Sequence, residues 1–221
     1  TVDQANTTGI LSSEAVTSGG FTFIDTAQPP TFASLASTTI TGNAGTFIVS
    51  MANTGDIAVG DYVRLYNIAG EQQISGYTFA VTAVSTNTSI TLGYMASSGI
   101  TFAADATSGF VKKYIPNRMY PRIALIANIT KATQAVIYFT APNDFTPGEI
   151  ISLRIPQEFG MVQANKVNAR VLTMTISSTV SSVTVDLDSS GFTTFAFPTS
   201  AQATAGVSPA IAIPSASGVV P

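Results

Sequence analysis

The chain has 221 residues, enough for one large β domain or two of about 100 residues each. Only 10% of them are charged, against about 25% in a typical globular protein, and the net charge of −3 with a pI near 4.7 argues against a dedicated nucleic-acid binder. Cys, His and Trp are all absent, which excludes a disulfide framework, a Cys nucleophile, a Ser-His-Asp triad and the usual zinc sites.

The hydrophobic fraction of 45% is ordinary, so the low charge means a skin of Ser, Thr, Asn, Gln, Ala and Gly. Such a surface is poorly protected from association, which is expected of a subunit covered by partners or of a neutral extracellular β protein. No stretch reaches the roughly 18 consecutive apolar residues of a membrane span, and no basic stretch followed by an apolar run reads as a signal peptide.

In chain order, residues 1–38 read as an arm, rich in Thr, Ser and Gly and interrupted by Pro29-Pro30. Its one alternating patch, Phe21-Thr22-Phe23-Ile24, predicts a strand that either adds to a neighbour's sheet or starts the chain's own. Residues 39–113 predict a first β domain. Strands are expected at Thr46–Met51, Asp61–Ile68, Tyr77–Val84 and Ser89–Tyr94, with Phe102 and Phe110-Val111 closing the unit. On the second of these strands Tyr62, Arg64 and Tyr66 share one face. Residues 114–122 read as a linker biased to extended backbone by Pro116 and Pro121.

Residues 123–197 predict a second β domain, with strands at Thr133–Thr140, Glu149–Ile155, Lys166–Ile176 and Ser182–Leu187. Residues 198–221 form a tail whose Ile211-Ala212-Ile213 can cover a sheet edge. No segment has the capped i, i+3, i+4, i+7 pattern of a long helix. The fold class is therefore all-β: two tandem small barrel or sandwich domains with an extended N-terminal arm and a C-terminal tail.

The two domains share a motif. Asp56-Ile-Ala-Val-Gly60-Asp61 and Asp144-Phe-Thr-Pro-Gly148-Glu149 each run into an apolar strand. A Gly-Gln loop follows (Gly70 and Gln73, Gly160 and Gln163), then Thr78-Phe79-Ala80-Val81 or Asn168-Ala169-Arg170-Val171. Later comes Ser98-Gly99-Ile100-Thr101 or Ser190-Gly191-Phe192-Thr193. Repetition at this spacing marks duplicated structural units.

Over residues of about 53–102 and 141–195, this pattern resembles a small β-barrel module of bacteriophage structural proteins, one likened to the first catalytic cysteine half-domain of ubiquitin-activating enzymes. The first copy keeps Gly70-Glu71-Gln72-Gln73-Ile74-Ser75-Gly76 before its aromatic strand. The second departs, with Lys166 in place of the last glycine. The resemblance implies a non-enzymatic virion structural protein, capsid-decorating or head-associated, with a tail or neck component as its alternative. A cell-surface filament or surface-layer subunit fits the composition equally well, and a secreted carbohydrate-binding module or hydrolase is a third reading. The partners it implies are copies of the chain and other virion proteins; no cofactor, small-molecule substrate or membrane is expected, and the acidic pI disfavours nucleic acid.

Several residues are candidates for function. Asp186 and Asp188 share a strand face and would serve as a cation-binding or acid–base pair, or as a solvated strand end. The acids repeated in both copies read as turn residues. Lys112, Lys113, Arg118 and Arg122 cluster near the linker with Tyr114 and Tyr120, a composition suited to an acidic subunit surface or to nucleic-acid stacking. The acidic pI favours the subunit. The expected subunit contacts are Phe21, Phe23, Ile24, Arg118, Tyr120 and Arg122. Asn6, Asn87 and Asn128 fit N-x-Ser/Thr, which matters only in a eukaryotic secretory setting.

Overall fold

The computed structural model describes residues 16–18, 21–23, 34–43, 46–93, 105–114, 122–177, 179–203 and 207–215. The chain divides into two compact units, Thr1–Ala33 and Ser34–Pro221. In the first, β1 (Val16–Ser18) and β2 (Phe21–Phe23) form a two-stranded antiparallel hairpin, with Val16 opposite Phe23 and Ser18 opposite Phe21. The expected arm strand is therefore paired within its own unit. Ile24, Arg118, Tyr120, Phe102 and the Ser98–Thr101 turn lie outside the described residues.

The second unit is all-β, carrying two sheets, and its described helical segments are turns of three or four residues. The first sheet uses β3 (Leu35–Ser37), β4 (Thr39–Asn43), β5 (Thr46–Ser50), β6 (Tyr62–Ala69), β7 (Thr78–Ser85), β8 (Ser89–Leu92) and β9 (Ser108–Tyr114). Their order is β3-β9-β6-β7-β8-β5-β4, every neighbour antiparallel. The two strands at its ends are consecutive in the chain, separated by Thr38 alone. The sheet therefore wraps back on itself, one bent strand serving as both ends, and reciprocal backbone bonds between Ile40 and Ala106 fasten the seam at 2.9 and 3.0 Å.

The second sheet is a closed barrel in the order β10-β11-β14-β13-β12-β15. Its strands are β10 (Ala124–Ile129), β11 (Val136–Phe139), β12 (Ile150–Arg154), β13 (Asn168–Ile176), β14 (Ser181–Val185) and β15 (Ile211–Pro214). Here β10 plays both parts of the bent strand. Ala124 and Leu125 pair with β15, and Ile126, Asn128 and Ile129 pair with β11, with a bulge between Ile126 and Asn128.

The strand orders correspond one for one, and so do the details. Gly60 N–H donates to Val81 O at 2.9 Å, and Gly148 N–H to Val171 O at 2.8 Å. Both glycines sit near φ +91°, a conformation that L side chains rarely adopt. After each Gly-Gln loop a positive-φ residue returns the chain to its strand: Gly76 N–H bonds Leu65 O and Lys166 N–H bonds Leu153 O. The strand after it bulges at Val81/Ala83 in one copy and Val171/Thr173 in the other.

Two domain boundaries differ from the sequence reading. Leu35–Ser37, assigned to the arm, belongs to the first sheet, and Ile211–Pro214, assigned to the tail, is a full stave of the second barrel. The cause is non-local: both segments are short and gain their structure only from strands far away in the chain.

Each barrel has its own core. Ile40, Phe47, Leu65, Phe79, Ile90 and Val111 are buried in the first; Ile126, Ile137, Phe139, Phe145, Leu153 and Val183 in the second. Phe197 packs against both cores, 5.2 Å from the Tyr77 ring and 5.4 Å from that of Phe159. Across the same junction Thr140 Oγ1 donates to Thr78 O at 2.7 Å in a buried hydrogen bond. Phe197→Ala is expected to cost roughly 2 kcal/mol, below the range for a fully buried Phe, and to weaken the coupling of the barrels. Calorimetry should then resolve two unfolding transitions in place of one; an unchanged single transition would place the coupling elsewhere.

Candidate functional site

The repeated acids act on the backbone first. Asp61 Oδ2 accepts the Ala58 N–H at 2.7 Å, and Glu149 Oε2 accepts the Thr146 N–H at 3.1 Å. Each then meets a cation. Lys113 Nζ lies 2.8 Å from Asp61 and 3.6 Å from Asp56, and donates to the Asp56 carbonyl at 3.2 Å. Arg122 pairs with Glu149, approaches Asp144 Oδ1 at 3.4 Å and sits 5.6 Å from the Phe145 ring centroid. The two clasps are alike although their cations come from different elements: Lys113 from the last stave of the first barrel, Arg122 from just before the first stave of the second. Arg122, expected at a subunit contact, is thus held within its own barrel.

The pair Asp186 and Asp188 also bonds the backbone, Asp186 across to the neighbouring strand and Asp188 within a turn. Asp186 Oδ1 accepts the Arg170 N–H at 2.6 Å, and Asp188 Oδ1 accepts the Ser190 hydroxyl at 2.6 Å and its N–H at 3.0 Å. The Ser190 hydroxyl, then its backbone N–H, hold the Asp188 carboxyl below its ordinary value. Among the described residues no group of three or more His, Cys, Asp or Glu is placed to hold a metal ion. No described helix is long and apolar enough to cross a membrane.

A groove of about 420 Å³ runs along the junction between the barrels, lined by Asn67, Gln72, Tyr77, Phe159, Pro198 and Ser208 among others. Its described lining carries no charged side chain. Burial pushes the Tyr77 phenol well above its ordinary value, an effect that a backbone hydrogen bond from Ala210 only partly offsets.

The most distinctive surface is the outer face of β6 and β9. Register sets Tyr62 opposite Tyr114, Arg64 opposite Lys112 and Tyr66 opposite Phe110. Arg64 and Lys112 are exposed, Phe110 is 40% exposed, and the three tyrosines are half-buried. The Arg64 guanidinium lies 4.5 Å from the Tyr114 ring centroid, and its Nε donates to Thr78 Oγ1 at 3.2 Å. Tyr66 and Phe110 stack at 5.6 Å, and the Tyr66 hydroxyl bonds Ser34. Sequence reasoning placed Tyr62, Arg64 and Tyr66 on one face but left Lys112 and Tyr114 in the linker cluster. The alternation Phe110-x-Lys112-x-Tyr114 was the signal that joins them.

The second barrel lacks this surface. Ile150, Ser152 and Arg154 occupy the positions of Tyr62, Arg64 and Tyr66, while Ile211 and Ile213 replace Phe110 and Lys112. No known protein-family model matches the chain, and no curated protein matches it.

The Asp61 hydrogen bond, joined by the attraction of Asp61 and Asp56, raises the Lys113 ammonium above its ordinary 10.5. That contribution is complete below pH 10.5, the unfolded value, and is lost as pH rises through the higher folded value. Tyr77 acts in the same direction: above pH 10.0 the unfolded phenol ionises while the buried one holds its proton. Thermal melts are therefore expected to fall between about pH 9 and about pH 12. The fall should be smaller in Lys113→Met and in Tyr77→Phe, and smallest in the double variant. At neutral pH Lys113→Met should cost roughly 0.5–1 kcal/mol. Equal pH slopes in all four proteins would refute the assignment.

Proposed function

We propose that this chain is a non-enzymatic structural subunit of a virion, a head-associated or capsid-decorating component, assembled through its N-terminal unit and neutral β surfaces. The observation that carries the reading is the same strand order built twice in one body, in a chain whose N-terminal segment is a compact unit of its own. The positions the copies share are turn glycines, turn acids and strand hydrophobes, which specify backbone shape. Their outer faces differ, as expected of a building block that meets unlike neighbours. The low charge and the exposed apolar residues, among them Ile48, Val59, Val162, Met174 and Ile176, suit surfaces covered by partner subunits. A two-stranded hairpin is marginally stable alone in water, which favours a docked state for the β1–β2 unit.

Removing residues 1–33 should abolish assembly while leaving the circular dichroism and melting of the body unchanged. Electron microscopy and sedimentation of the full and shortened chains test this. Ordered oligomers that persist without residues 1–33 would refute the docking role. An extended fibre of this chain alone would favour a surface filament, and a dispersed monomer that binds glycans would favour a carbohydrate-binding module.

A further inference from the structure

We infer that the aromatic and cationic face of β6 and β9 is the docking site for the acidic N-terminal unit of a second copy of the chain, an inference that rests on the assembly reading above. Arg64 and Lys112 stand directly opposite one another with the same charge. Like charges in register destabilise a strand pair, and among the described residues neither cation has a carboxylate partner. The stack on Tyr114 and the Thr78 bond orient Arg64 without neutralising it. An anion laid across the pair removes the repulsion, and the flanking aromatics offer it an apolar floor.

Residues 1–33 have the matching chemistry. They contain Asp3, Glu14 and Asp25 and no cation; the first cation of the whole chain is Arg64 itself. The sequence of β2 also carries two aromatic residues, Phe21 and Phe23, and the face carries the Tyr66–Phe110 stack. The second sheet is a closed barrel, and the two end strands of the first are joined at Thr38 and by the Ile40–Ala106 bridge, which favours docking at a face over docking at a sheet edge. The equivalent face of the second barrel is aliphatic and offers only Arg154, already bonded to Ser152 Oγ and Leu153 O. Among the described residues, only the first of the two like folds carries paired cations on this face, one acceptor face for one N-terminal unit. A single-stranded nucleic acid would also recognise cations among aromatics, but the net charge of −3 and the acidity of the N-terminal unit favour self-docking.

The test uses three full-length variants: face-reversed (Arg64→Glu with Lys112→Glu), arm-reversed (Asp3→Lys, Glu14→Lys and Asp25→Lys), and both together. Sedimentation velocity at low salt is expected to show self-association of the unaltered chain. Each single-sided variant should weaken it roughly 10- to 100-fold, and the combined variant should regain it. Mixing the two single-sided variants should produce heterodimers, because each then carries an arm suited to the other's face. Matching melting curves confirm that the reversals leave the fold intact. Association that needs residues 1–33 but ignores the face charges overturns this inference and leaves the assembly reading standing. Weakening without rescue, or no heterodimer on mixing, also overturns it, the latter by making the contact intramolecular. Binding of a fluorescein-labelled oligothymidylate by the unaltered chain, lost in the face-reversed variant, assigns the face to nucleic acid instead. A chain that stays monomeric at its highest soluble concentration overturns both readings.

Discussion

Everything in the body follows from the requirement that each small sheet close. A short open sheet would leave a row of unpaired N–H and C=O groups at either edge, and this chain has few charged residues with which to guard them. Closure removes the edges, but it obliges one strand to pair on both sides. In the first barrel residues 35–43 do so by bending at Thr38, whose N–H and hydroxyl both reach Ser50 O, at 2.8 and 3.2 Å. In the second, β10 does so through a bulge between Ile126 and Asn128. The final stave must then return from far along the chain: β9 in one copy, β15 in the other. With the seams closed, the hydrophobes of alternate positions point inward and two separate cores form, joined chiefly at Phe197.

The turns that permit closure were legible because their chemistry is local. A glycine held at positive φ, followed by an acid that accepts an N–H three residues back, is visible in Gly60-Asp61 and Gly148-Glu149 without any knowledge of the fold. The middle strands were legible for the same reason, since β-branched alternation is a local pattern. The seams were not. Leu35–Ser37 looks like more of a Ser- and Thr-rich arm, and Ile211–Ile213 reads as cover for one sheet edge, not as a stave paired on both sides. Ala124–Ile129 is an apolar run without alternation. What makes each of them a strand is a partner up to about 90 residues away, and closure entropy of that kind leaves no local mark.

The charged residues divide along the same lines. Lys113 and Arg122 were legible as basic residues near a linker, but not as the cations of two matching clasps, because their partners lie in turns that close only in three dimensions. The outer face of β6 and β9 was half legible. One strand's alternation was recognised; the other was cut short by the linker assigned after Lys113, although β9 runs on to Tyr114. Strand ends next to proline-rich segments are where pattern loses to context, and here that loss concealed the pairing of Arg64 with Lys112.

The duplication supplies a control within one molecule. Backbone bonds, bulges and turn acids are the same in both barrels, so they belong to the fold. What differs is free to belong to function: the aromatic and cationic face of the first barrel against the aliphatic face of the second, and Gly76 against Lys166. The lysine adopts φ +63° where its counterpart is a glycine, a conformation that costs an L residue about 1–2 kcal/mol. The second barrel carries that strain because the surrounding bonds, Lys166 N–H to Leu153 O and Leu153 N–H to Val167 O, over-determine the turn. No such bond network requires two cations to face each other across β6 and β9. An unfavourable arrangement that the fold does not impose, and that the sister barrel avoids at the same register, is where a partner's contribution to the energetics belongs.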